Sequence, residues 1–191
     1  MVPDTAEVRN KIRRQRTTLD GPETRLASAK AASLLLATSV FRQATRLAAY
    51  AASNNELDPH PIIKEAWNAG KSVYLPIIRE DNTLSFAPYH IHSSLQKNRY
   101  CIPEPVCATE ELLAAAHLDL ILVPLVAFDT GCRRIGMGAG YYDRTLAGMR
   151  SGKPVKAGLA YDFQRVDHIR SQPWDIPMDM IVTEQRIYLK A

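Results

Sequence analysis

At 191 residues, 46% of them hydrophobic and 23% charged, the chain can bury a sizeable core and is too apolar for a disordered polypeptide. A formal net charge of +4 does not choose between a small anionic ligand and nucleic acid. The three cysteines, Cys101, Cys107 and Cys132, show no CxxC or Cys/His spacing, which argues against a disulfide framework or structural zinc and for a reducing cytoplasm. The opening MVPDTAEVRNKIRRQR offers no apolar stretch for a signal peptide, and no run approaches the ~20 residues of a bilayer span.

In chain order, a polar, basic helix is predicted over Thr5 to Thr17. Asp20-Gly21-Pro22-Glu23 then forms a helix start, with proline in the first turn and acids at its positive end, and residues 24–40 repeat apolar positions at helical spacing. Arg46 to Ser53 reads as the first buried strand. Asp58 is placed as the N-cap of a helix that stops at Gly70. Residues 72–78 form the next strand, with Pro76 at an edge or bulge position, and residues 83–92 a shorter one. Residues 110–116 are assigned to a helix and 118–128 to the most apolar strand. A glycine-rich turn follows, then a helix from about Tyr141 and strands over 156–162 and 180–189.

Helices alternating with strands that are apolar on both faces predict an α/β fold. It is a single three-layer domain spanning residues 1–191 around a central, largely parallel sheet. In such sheets a ligand sits beyond the carboxyl ends of the strands, which directs attention to Ser53–Asp58, Asp129–Asp143 and the loop after residue 162.

The stretch from Ala127 to Arg144 carries the most chemistry. Gly136, Gly138 and Gly140 alternate before a predicted helix, where residues without Cβ let backbone N–H groups approach an anion. Arg133 and Arg134 stand upstream as bidentate phosphate donors, and Asp143 downstream suits Mg²⁺. The spacing matches neither GxxxxGK[ST] nor GxGxxG, so a tight turn or close helix packing stays open for the glycines taken alone. On the same terms the basic run Arg9, Lys11, Arg13, Arg14 and Arg16 is either a solvated helix face or an anion contact. Asp175 and Asp179 read as turn residues flanking Pro177, and Glu56 as surface. His90 and His92 share a strand face without a third metal ligand nearby in sequence, and Cys132 is a packed or partly exposed thiol. Ala27, Ala31 and Leu34 to Leu36 are core.

The run PLVAFD, then a glycine, then RIGMGAGYYDR resembles the signature of the 5-formyltetrahydrofolate cyclo-ligase family, and the similarity extends over nearly the whole chain. The resemblance implies a Rossmann-like fold related to those of isomerases and CoA-transferases. It also implies ATP-driven, Mg²⁺-dependent cyclisation of 5-formyltetrahydrofolate to 5,10-methenyltetrahydrofolate; a cytoplasmic monomer without nucleic-acid or membrane partners is the accompanying expectation. By position it implies Arg134 and Tyr142 as catalytic residues and an ATP site made of Arg9, Arg134, Ile135, Gly136, Met137, Gly138, Ala139, Gly140, Tyr141 and Tyr142. Arg13, one turn beyond Arg9, joins that set because Thr5 stands where the family has a lysine. Substrate contacts fall on Ala51, Glu56 and the stretch from Met137 to Tyr141, and metal ligands on Asp143 and Asp175. For Glu56 the physical case is a carboxylate accepting from neighbouring N–H donors of a reduced pterin. Two rivals differ in class. An isomerase or CoA-transferase on a related fold would need a catalytic Glu, Asp or His at a sheet end and no nucleotide. A nucleic-acid-binding domain using the Arg9–Arg16 helix would lose affinity steeply with salt.

Overall fold

The computed structural model describes residues 4–149 and 153–190. Asp20 opens α2 (Gly21–Leu36) through a capping box: its carboxylate accepts from Glu23 N at 2.8 Å, and the Glu23 carboxylate accepts from Asp20 N at 3.1 Å. α1 (Thr5–Thr17) begins and ends where its polar pattern predicts. The helical pattern over residues 24–40 ends early, at Leu36, because the Thr38 hydroxyl accepts from Phe41 N at 3.1 Å and starts a separate short α3 (Ser39–Gln43). Asp58 does not cap α4 (His60–Asn68). Pro59 occupies that position, and the Asp58 carboxylate accepts from His60 N at 2.9 Å in a turn ahead of the helix.

The strands of the main sheet are β1 (Arg46–Ala48), β2 (Ser72–Ile78), β3 (Leu84–Pro88), β6 (Leu120–Pro124), β9 (Val155–Leu159), β10 (Met180–Val182) and β11 (Ile187–Leu189). A ribbon of β4 (Leu95–Lys97) and β5 (Pro103–Pro105), and a hairpin of β7 (Ala127–Phe128) and β8 (Arg134–Ile135), complete the strands described. The seven-stranded sheet has the order β11-β10-β9-β6-β1-β2-β3. Its five inner strands are parallel, and β3 and β11 run antiparallel at the edges.

Alternation along the inner strands sends Leu47, Leu120 and Leu122 to one face and Ala48, Ile121 and Val123 to the other, all fully buried. α2, α3 and α4 cover the first face, with Ala31 and Leu35 inaccessible at its centre, so the apolar run of α2 is core. The second face is covered by α5 (Tyr141–Leu146), by the β7–β8 hairpin and by irregular chain around Met178. α1 lies over the hairpin through Val8 and Ile12, which pack with Val126, Ala127, Ile135 and Ile169.

Four predicted elements change. The first strand ends at Ala48, and residues 49–53 continue as irregular chain beyond its carboxyl end. Residues 110–116 are not an α-helix. Two short 3₁₀ turns flank Leu113, whose N–H donates to the Phe86 carbonyl at 2.8 Å and whose C=O accepts from Phe86 N at 2.9 Å, satisfying the outer edge of β3. The apolar run 118–128 breaks after Pro124, and Ala127–Phe128 leaves the sheet to pair with Arg134–Ile135. Residues 180–189 form a hairpin, not one strand, because the Thr183 hydroxyl accepts from the N–H groups of Gln185 and Arg186, each within 3.2 Å. Pro76 is tolerated in a strand that is not an edge: it sits past the end of the β1 pairing, opposite Phe86, whose own bonds run outward to Leu113. His90 and His92 fall in a turn after β3 ends at Pro88, and do not share a strand face.

Candidate functional site

β1 pairs with β2 on one side and β6 on the other, so the chain reverses its direction of progress across the sheet at the β1–β6 boundary. Ligands of open α/β sheets bind at such a switch point, outside the carboxyl ends of the strands. A cleft of about 1520 Å³ opens there, lined by Tyr50 and Ala51 after β1, Ile78 of β2 and Pro124 of β6. α1, α5, the glycine loop and the β4–β5 ribbon supply the remaining walls.

The glycine loop is held from two sides. Arg9 Nε donates to the Gly136 carbonyl at 2.8 Å, and Arg144 Nη2 donates to the Ala139 carbonyl at 2.7 Å. A trans peptide points its N–H away from its C=O, so pinning these carbonyls turns the amides of Met137 and Gly140 the other way. The N–H groups of residues 136–140 bond none of the described residues. Gly138 has φ +107° and Gly140 φ +70°, conformations that side chains with Cβ rarely adopt, so the second and third glycines are required by the path of the backbone. α5 is only six residues long, and its macrodipole adds less positive potential than a longer helix would.

Arg134 is buried at the loop entrance. Its Nη1 donates to the Ile176 carbonyl, and its Nη2 donates to Asp143 Oδ1 at 2.8 Å. Asp143 Oδ1 also accepts from Ile176 N at 3.0 Å, while Oδ2 bonds none of the described residues. Asp175 lines the same cleft, but its carboxylate closes a turn by accepting from Gln172 N at 2.8 Å. Asp179 is committed elsewhere, paired to Lys156 Nζ at 2.7 Å. Among the described residues no three His, Cys, Asp or Glu side chains converge as a metal cage. One free carboxylate oxygen fits Mg²⁺ that takes its other ligands from phosphate and water.

Across the cleft, Glu56 is 9% exposed. Its carboxylate accepts from Ser53 N at 3.1 Å and faces the Arg16 guanidinium at 3.7 Å. Burial raises its pKa above the ordinary value, against the opposing pull of Ser53 and Arg16. The Tyr142 hydroxyl is buried without a hydrogen-bond partner among the described residues, and burial together with the nearby Glu56 pushes it far above the usual phenol range. Cys132 is inaccessible, and burial pushes its thiol up to about 11, so it is a packed side chain and not a nucleophile.

The cleft thus brings together Arg9, Ala51, Glu56, Arg134, the loop from Ile135 to Tyr142, Asp143 and Asp175. Two sequence-based expectations need correction. Arg13 is exposed and does not line the cleft: on α1 the buried stripe is Val8, Ile12 and Arg16, and position 13 faces outward. Arg133 is no phosphate donor, because its Nε donates to the inaccessible Asp129 at 2.7 Å. Arg16 and Arg144 were missed. A basic residue ending the apolar stripe of α1 was the available signal for Arg16, and no local pattern separates Arg144 from an ordinary helix arginine. With Arg9 and Arg16 both turned inward, the basic run does not present one continuous cationic face.

Burial separates the basic residues in a measurable way. If the glycine loop holds ATP, Arg9→Ala should weaken its binding by about 1.5–3 kcal/mol, the value of a hydrogen bond to a charged group. Arg13→Ala and Lys11→Ala should leave it unchanged, since exposed cations contribute little. Isothermal titration with ATP checks this, and equal affinities for Arg9→Ala and Arg13→Ala would remove α1 from the nucleotide site.

A protein-family model described as the 5-formyltetrahydrofolate cyclo-ligase family matches residues 2–184. The 5-formyltetrahydrofolate cyclo-ligase of Escherichia coli is 35% identical over 179 residues, 93% of this chain and 98% of that protein. The enzyme of the same name from Haemophilus influenzae is 32% identical, covering 92% and 96%. The NMR structure of Aquifex aeolicus 5,10-methenyltetrahydrofolate synthetase superposes with a TM-score of 0.83 at 34% identity, over 97% of this chain and 92% of that one. With matches that span nearly the full length and a cleft built at the expected sheet position, the chain belongs to the 5-formyltetrahydrofolate cyclo-ligase family.

Proposed function

We propose that the protein converts 5-formyltetrahydrofolate and ATP into 5,10-methenyltetrahydrofolate, ADP and phosphate. The observation that carries this reading is the glycine loop: two of its carbonyls are pinned by Arg9 and Arg144, its amides bond none of the described residues, and it opens onto the same cleft as the buried carboxylate of Glu56. One side of the cleft then suits a triphosphate and the other a pterin with N–H donors. At about 1520 Å³ the cleft exceeds the ~300–1,000 Å³ of a typical single-ligand pocket, as two substrates require.

In this reading the formyl oxygen takes the γ-phosphoryl group and ADP departs. N10 of the same molecule then adds to the formyl carbon and loses its proton. That addition closes the five-membered ring, and the carbon–oxygen bond then breaks as inorganic phosphate leaves. No covalent enzyme intermediate is needed, so the protein's work is positioning and charge stabilisation. Arg134, clamped by Ile176 and Asp143, is held at the loop entrance to meet the transferring phosphoryl oxygens. The Tyr142 hydroxyl, neutral and without a hydrogen-bond partner among the described residues, can donate to a substrate in the cleft that Tyr142 lines. Mg²⁺ would be held by Asp143, with Asp175 on the same wall, and would neutralise charge between the phosphates. Ala51 leaves room for the pterin, and Met137, 48% exposed, offers it an apolar contact. Three free cysteines support a reducing, cytoplasmic location, and no helix among the described residues is long and apolar enough to cross a membrane.

The test is the appearance of methenyltetrahydrofolate absorbance from 5-formyltetrahydrofolate. Product should form only with ATP and Mg²⁺ both present, with one ADP released per ring closed. Product formation without ATP would overturn the reading.

A further inference from the structure

Arg16 is 1% exposed, and its Nε, Nη1 and Nη2 all lack a hydrogen-bond partner among the described residues. A guanidinium cannot shed its proton at accessible pH, so it is a permanent charge in the interior. Burying such a charge without hydrogen bonds is strongly unfavourable, and native structures rarely tolerate it without compensation. The opposite charge it faces is Glu56, at 3.7 Å from Nη1 to Oε1, which is within ion-pair range and too long for a hydrogen bond. The backbone ties the two together as well. The Arg16 carbonyl accepts from Asn55 Nδ2 at 2.9 Å, so the end of α1 anchors the loop that carries Glu56. That loop turns through two positive-φ residues, Asn54 at 49° and Asn55 at 53°.

We infer that Arg16 is a positioning residue for folate binding: its buried charge holds the Glu56 carboxylate in its anionic, acceptor-only form beneath the pterin. This rests on the reading of Glu56 as the pterin partner. The chemistry requires such a device. A protonated carboxyl group presents a donor to the N–H groups it should accept from, and burial alone drives Glu56 toward that form. The other groups facing Glu56 do not supply the missing charge. Ser53 from its own loop donates neutral hydrogen bonds. Tyr50 after β1, Tyr142 of α5 and Tyr161 after β9 are neutral, with Tyr161 pushed up to about 12 by burial. Arg16 is therefore the one cation described beside it.

The sign of the effect follows. Glu56 works when ionised, so folate binding fails as pH falls through its pKa, and removing the Arg16 charge moves that failure to higher pH. The experiment measures folate kcat/KM from pH 5.5 to 9 for the parent, Arg16→Met, Arg16→Lys and Glu56→Gln. Taking the ratio to parent at each pH cancels the ionisation of the substrates. Arg16→Met, similar in length and uncharged, should lose folate kcat/KM increasingly as pH falls, by up to tenfold for each pH unit by which the acid limb is displaced. The deficit should shrink as pH rises to 9. Arg16→Lys keeps the charge and should keep the parental shape of the profile. It also serves as the second arm should Arg16→Met not fold, since a displaced acid limb in Arg16→Lys would overturn the inference. A loss in Arg16→Met that is equal at every pH marks a merely structural role, such as a cation at the carboxyl end of α1, and overturns it too. A Glu56→Gln defect beside a parental Arg16→Met profile overturns this inference alone. Unchanged folate kcat/KM in Glu56→Gln overturns the reading of Glu56 and the inference together.

Discussion

Asp143→Asn is expected to lower kcat by roughly 10²–10³-fold, the range seen when one preorganised electrostatic element is removed from a transition state. Asparagine keeps a carbonyl oxygen where Oδ1 now accepts from Arg134 at 2.8 Å and from Ile176 N at 3.0 Å, so the local fold should survive. What is lost is the negative charge and the unengaged Oδ2, the groups proposed for Mg²⁺. The Mg²⁺ concentration for half-maximal rate should rise with the fall in kcat, while far-UV circular dichroism stays parental. Asp143→Ala is the less informative change, because it also strips Arg134 of its partner and leaves a buried cation exposed to the cost of breaking a pair. Parental kcat in Asp143→Asn at limiting Mg²⁺ would take Asp143 out of the metal site.

Glu56→Gln is the second large effect, and it should fall on the other substrate. The amide keeps the shape of the side chain but turns a donor toward the N–H groups of the pterin. Truncating or mispairing one member of a desolvated, charge-assisted contact costs roughly 2–5 kcal/mol, which is ~30-fold or more in folate KM. The KM for ATP should change little, since the glycine loop is held by Arg9 and Arg144 independently of Glu56. Steady-state kinetics with each substrate varied in turn separate the two. Equal losses for both substrates would point to a folding defect, consistent with the buried seat of Glu56 against Arg16.

The amino-acid sequence by itself determined the class of the fold. Two-faced apolar strands such as residues 120–124 can be stable only between two layers, and Asp20 with Glu23 can cap only a helix that starts there. It also determined the glycine loop, because alternate glycines before a helix, followed by Tyr-Tyr-Asp, constrain a local backbone path. Tertiary structure decided which charges serve the site. Arg9, Arg13, Arg14 and Arg16 are equivalent as letters, and only the packing of Val8 and Ile12 onto the β7–β8 hairpin turns Arg9 and Arg16 inward and leaves Arg13 in solvent. Arg133 and Arg134 are adjacent, yet the buried Asp129 captures one and Asp143 the other. Element boundaries were decided the same way. Residues 110–116 have helical composition, but the unpaired edge of β3 recruits Leu113 into a bridge, and long-range hydrogen bonds outweigh propensities worth a few tenths of a kcal/mol per residue.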